Sequence, residues 1–508
     1  MRNSLYLTMI LFVGIIYTNS YSQTIESDCN CDVVITDKND SFPYDNYQES
    51  RNKTVCFQGD FDYEMNWDKL GNNITLCVGE EVSFKSNGLN FEGSKSIYNY
   101  GTFEFGQSLV LDENSSIFNY GEMESIFTFN GGSLQNLNNS ELVVIGYSNF
   151  NSGNVFNDYT SIIEIKQNEY TNIGENMTFN SQGEVVFNGN VDNKGELTLA
   201  GISEFKKKLI NNNLANLSGE LKFEEGYNSN SNDAVTIANG FLEIDGDVNL
   251  WNGHLEANSG LIFKEKTQIN NGASLEFMGV AEFENLTTWG EIYTNFSCNE
   301  LKIKKGSGNG RISTNSNSSI YVKKLKDLPD NLILSGDITE NKCVNDTDII
   351  VWLGTESSDA GNEKNWSDKL KNKSSILIPK TRNNPVISEK FEASNILIKE
   401  GVELSNKNLI KLKGNLRVEG KLNSKEGIIE FNGKQVQTIN LNSKAEVGSL
   451  IIDNSDNVEL KNGSIDVYKN IELLNGNLIT NHSGTTPEEN LITFKSDSTR
   501  TAILKEVV

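Results

Sequence analysis

A short phrase keeps returning along this chain: one or two Asn or other polar residues, a Gly, then alternating apolar and polar residues. It reads Asn99-Tyr100-Gly101-Thr102-Phe103-Glu104-Phe105, then Asn119-Tyr120-Gly121-Glu122-Met123, Lys194-Gly195-Glu196-Leu197-Thr198-Leu199, Ser218-Gly219-Glu220-Leu221-Lys222-Phe223 and Asn239-Gly240-Phe241-Leu242-Glu243-Ile244. Successive Gly anchors such as Gly101 and Gly121, or Gly195, Gly219 and Gly240, stand roughly 20 to 24 residues apart, the repeat length of a solenoid.

Each Gly is expected to mark a corner, because it adopts a left-handed backbone at little cost, and Asn tolerates the same conformation. Downstream of the corner the period is two: Leu197 and Leu199 face one way, Glu196 and Thr198 the other. Strands this short cannot bury an apolar face alone, but coils stacked at about 4.8 Å make a continuous apolar column. Of 508 residues 42 are Gly and only 5 are Pro, as a parallel stack requires, since Pro supplies no ladder N–H. The fold class expected is therefore all-β, a parallel β-helix (β-solenoid) of right-handed sense. The many Asn-Gly pairs would equally suit two-residue hairpins, so an antiparallel sandwich is the rival.

Met1-Arg2-Asn3-Ser4, the apolar run Leu5 to Tyr17 and the small residues before Gln23 read as a signal peptide over 1–22, and so as a secreted, extracellular protein. That run is shorter than the ~20 residues a bilayer needs, and no later segment is long enough to be transmembrane. Six cysteines suit an oxidising destination. Cys29 and Cys31 lie too close to pair with each other, so each reaches Cys56 or Cys77, in an order the sequence leaves open. Cys298 and Cys343 would form a third bridge. A metal site of Cys29, Cys31, Cys56 and Cys77 is the sharper and weaker alternative, with no His nearby. The net charge of −25 argues against nucleic acid as a partner. Lys206-Lys207-Lys208, Lys302 to Lys305 and Lys323-Lys324 read as solvated faces, and Asp245-Gly246-Asp247 and Asp453 to Asp456 lack a calcium loop's ligand spacing.

Residues 23–72, with Pro43 and three cysteines, read as an N-terminal cap, and 73–340 as a first solenoid of about 12 coils, a rod roughly 60 Å long. Residues 341–375 form a linker and an entry unit, Val351-Trp352-Leu353-Gly354 followed by Lys364-Asn365-Trp366-Ser367. From 376 to 508 a second solenoid runs through Asn395-Ile396-Leu397-Ile398, Phe431-Asn432-Gly433 with Gln437-Thr438-Ile439, and Ser449-Leu450-Ile451-Ile452-Asp453. This order, a W-x-G…N-W unit and then "FNG…Q-T-I" and "L-x-I-x-N" coils, resembles the secreted surface β-solenoids of Bacteroidetes-type bacteria, most fully over 350–508. The resemblance implies a stalk or adhesin module at the cell surface, monomeric or part of a longer surface polypeptide. The chain stops at Val508 without the family's sorting domain, which leaves the end uncapped or truncated by this reading.

Trp352 and Trp366 have two readings: aromatics that plug the open end of a solenoid, or a platform for stacking sugars. Beyond them no nucleophile elbow, phosphate loop, zinc-helix motif or Ser/His/Asp set occurs, and the two histidines, His254 and His482, fall in different segments. No catalytic residue, cofactor or metal is assigned. Coiled-sheet enzymes that cleave polysaccharides use carboxylate pairs, for which Asp245 and Asp247, with Glu243 beside them, are the candidates on one strand face. The expected function is a non-catalytic structural or adhesive rod presenting a polar surface to glycans, matrix or cells, and a polysaccharide lyase or glycoside hydrolase is the alternative.

Overall fold

The computed structural model describes residues 29–44, 49–65, 73–86, 94–166, 170–295, 299–315, 318–340, 349–480 except 355, 368, 371–373, 380 and 382, then 490–496 and 503–506. The leader over 1–22, the Cys298 and Cys343 pairing, and His482 lie outside these residues.

The chain winds into two parallel β-solenoids, one sheet over Val33–Thr339 and another over Ile349–Glu506. Every pairing between the named strands is parallel, which removes the antiparallel sandwich. One column of the first solenoid holds sixteen strands in continuous register, from Val33–Ile35 to Ile333–Ser335. At the inter-strand spacing that is a stack about 70 Å long. The step from coil to coil is not constant: Val185 pairs with Ser203, whereas Ile162 pairs with Glu184. The first coils occupy the span expected to be a cap, since Val33–Ile35 pairs with Thr54–Phe57, and this with Ile74–Val78. Thr54–Phe57 and Ile74–Val78 bury consecutive residues and so lack the alternation that marks the later coils.

Inside the column, side chains meet their counterparts one coil away. Phe187, Phe205 and Phe223 stack with ring centroids 5.1 and 4.6 Å apart, all of them buried. Burying a side chain of this size is worth about 1.5–3 kcal/mol, and repetition along the stack replaces a globular core.

At several of the recurring corners Asn and Gly do something other than adopt a left-handed backbone. Asn99, Asn119, Asn136 and Asn157 are fully buried and form a ladder, each amide nitrogen donating to the next side-chain oxygen at 2.7, 2.7 and 2.8 Å, with Asn157 ending on the Ser181 hydroxyl at 2.9 Å. The same amides donate to main-chain carbonyls of the turning chain, such as Asn99 to Glu122 O and Asn119 to Glu141 O. Gly121 does not have a positive φ; a Cβ there would lie 2.1 Å from the Gly101 carbonyl oxygen. Close approach of stacked backbones, rather than handedness, excludes a side chain at this corner, whereas Gly219 at φ +82° does follow the expected rule.

Two disulfides fasten the first coils: Cys29 to Cys77 and Cys31 to Cys56, with Cα separations of 6.5 and 5.8 Å. They settle the order left open by the sequence, and the four thiols are consumed, so the metal alternative for them falls. Closing loops of this length stabilises by about 2–4 kcal/mol each.

Candidate binding face at the joint of the two solenoids

The second solenoid docks on the side of the first. Val351, Leu377 and Leu397 point away from their own core, where Ile350, Ile376 and Ile396 lie, and close over Met278 of the first solenoid; all four are buried. Ile376-Leu377-Ile378 and Ile396-Leu397-Ile398 break the alternation seen elsewhere, the pattern of strands covered on both faces.

Beside this apolar patch lies a polar cluster. On strand Gly253–Ala257, Leu255 enters the core while His254 and Glu256 face outward, and Glu256 pairs in register with Glu276 of the next coil. Tyr293 follows one coil later, its ring stacked on that of His254 at 6.0 Å. The ammonium of Lys399, reaching over from the second solenoid, lies 2.9 Å from the Glu256 carboxylate and 3.9 Å from Glu419, which also binds Arg417 at 2.6 Å. Asn295 donates to Glu276 at 3.1 Å, and His254 Nδ1 meets the Ser274 hydroxyl at 2.9 Å.

Burial governs the electrostatics. It pushes the Glu276 carboxyl above its ordinary range, against the opposing pull of Lys399. It likewise lowers His254, favouring the neutral ring. For Lys399 burial works downward but is outweighed by Glu256 and the other carboxylates, so its pKa is raised and the ammonium is held charged. A His nitrogen and two carboxylate oxygens here lie within 4.8 Å of one another, a donor set that could hold a divalent ion. Lys399 supplies the positive charge at that place, so the arrangement reads as a half-buried ionic latch between the two bodies.

Further along the same face the surface opens. A trough of about 410 Å³ is lined by Trp289, Asn271, Glu291, Asn309, Arg311 and neighbouring backbone, and a second of about 350 Å³ shares Ser274 and Glu291 with it. Glu291 and Arg311 face each other across adjacent strands, and the Ser313 hydroxyl donates to Glu291 at 2.8 Å. Trp289 is exposed.

The residues singled out from sequence lie elsewhere. Trp352 and Trp366 are buried at the start of the second solenoid, packed edge to face at 4.9 Å, with Phe391 against Trp366. Their indole N–H groups donate to Asn383 O at 2.6 Å and Ala360 O at 3.0 Å. Buried Asn365 between them knits the loop by accepting from Glu356 N and Ser357 N. Both rings are enclosed in the core of the second solenoid, which leaves no open face for a stacked sugar at these positions. Glu243 and Asp245 are bound by Lys264, and a corner separates Asp245 from Asp247, which begins the next strand; the three do not share one strand face. Lys207 and Lys304 pair with Glu225 and Glu284 on neighbouring coils.

Sequence reasoning passed over Glu276, Tyr293, Trp289 and Lys399. The i, i+2 spacing of His254 and Glu256 was a legible hint, but Glu276 arrives one coil later and Lys399 from another solenoid. Among the described residues no helix is long and apolar enough to cross a membrane. No family model, curated protein or solved structure matches this chain.

Proposed function

We propose that this chain is a secreted, cell-surface structural and adhesive rod that contacts glycans, extracellular matrix or cells through its outward strand faces and performs no catalysis. The observation that carries this reading is the long stack of coils: apolar side chains join coil to coil, while the outer faces are mostly polar and open, beside the joint, into a trough. Of the carboxylates singled out by sequence, Asp245 and Asp247 with Glu243 beside them, Asp245 and Glu243 share an ion pair with Lys264, which favours a structural over an acid–base role for these two. Protease shaving of intact cells with an antibody readout tests the location. Glycan-array binding run alongside lyase and hydrolase assays on pectin and alginate tests the activity: binding without turnover is expected. Turnover that disappears in Asp245→Asn would replace this reading with the enzymatic one.

A further inference from the structure

Of the tryptophans the structure describes, two plug the second solenoid and two, Trp251 and Trp289, are exposed at 48% and 43%. The exposed pair occupies the same corner of the first solenoid. Trp251 N donates to Ser229 O at 2.8 Å, Asn270 N to Leu250 O at 2.8 Å and Trp289 N to Ile269 O at 2.7 Å, each one coil back at the equivalent position. The two rings therefore stand two coils apart, about 9.6 Å at the inter-strand spacing. Other coils use Asn212, Asn230 and Asn270 at this corner, so stacking does not require an aromatic there. Each of these rings leaves nearly half its surface open, and the flat apolar face of an indole with its polar edge is suited to the apolar face of a pyranose ring.

We propose that the Trp251–Trp289 corner and the trough beside it bind a neutral β-1,4-linked glycan laid along the solenoid axis. In such a chain alternate sugars are flipped, so the same ring face recurs once per disaccharide, a repeat close to two coils. Trp251 and Trp289 would then meet equivalent sugar faces. Asn271, Asn309, Glu291 and Arg311 supply donors and acceptors for hydroxyls along the trough. Both signs of charge are present as the Glu291 and Arg311 pair, and the chain carries −25 overall, which disfavours a polyanionic glycan. This inference rests on the reading of the chain as a binding rod and names the ligand class and the site.

Isothermal titration with cellohexaose and mannohexaose tests it, with polygalacturonate as the acidic comparison. Saturable binding to at least one neutral hexaose is expected. Trp251→Ala and Trp289→Ala should each weaken it about tenfold, the equivalent of about 1.4 kcal/mol, while Trp289→Phe keeps most of the affinity. Unchanged circular dichroism and thermal midpoints establish that the variants are folded. No binding to either hexaose, stronger binding to polygalacturonate, or affinity indifferent to both Ala variants would overturn the assignment. Glycan-array binding that survives in both variants removes this site but leaves the adhesive rod; an array with no binding removes both.

Discussion

At the residue scale, the stack depends on polar side chains as much as on apolar ones. Asn119 sits fully buried between Asn99 and Asn136 and satisfies both, as well as carbonyls of the turning chain. Asn119→Ala would leave the amide of Asn99 and the oxygen of Asn136 without this partner in the interior. Asn99 keeps Glu122 O and the Asn136 oxygen keeps the Ser140 hydroxyl, so what is lost is several buried bonds at about 0.5–1.5 kcal/mol each; chemical denaturation should show a loss of about 2 kcal/mol, whereas Thr198→Ala on the outer face should change little. Much of this was half legible. The phrase Asn-x-Gly marked the corners, and alternation placed Leu197 and Leu199 inside. What the Asn and Gly do there was not readable, because their use is set by the coil above and below, some twenty residues away.

At the scale of elements, the joint between the solenoids turns on a few side chains from strands distant in sequence. Glu276 is held in a buried site where its folded-state pKa lies above its unfolded value of 4.5. The folded protein then binds that proton more tightly than the unfolded chain, so its contribution is complete below pH 4.5 and is lost as pH rises through the folded value. His254 has the opposite sign: its depressed pKa contributes above pH 6.5 and is lost as pH falls through the folded value. Glu276→Gln removes the first effect. Its thermal midpoint should match the wild type near pH 4 and exceed it by an amount that grows toward neutrality; a variant that loses stability at pH 7 would contradict this account of the site. The strands that build the joint were visible as apolar runs, and Ile376-Leu377-Ile378 lacks the alternation of a half-buried strand. The surface it would cover was not visible, since Met278 and Glu256 carry no sequence mark of being covered.

At the scale of the whole molecule, two stacks lie against each other at a joint made of an apolar patch with an ionic latch beside it, and two disulfides fasten the first coils of the first stack. Fold class and the division near residue 340 were legible, because a repeat announces itself and an interruption breaks it. Trp352 and Trp366 stood out in the sequence, and the structure encloses both rings against each other at the start of the second solenoid. The lateral docking was not legible, because no local pattern encodes the angle at which one column meets another.

Parallel stacking is the claim on which the rest depends, and paired cysteines test it at one corner. Thr198 and Asn216 face outward in register on neighbouring coils, whereas a hairpin turning at Ala200-Gly201 would place Thr198 opposite Ser203. Oxidation followed by mass spectrometry should show a Thr198→Cys and Asn216→Cys cross-link and none between Thr198→Cys and Ser203→Cys. The reverse pattern would contradict the solenoid.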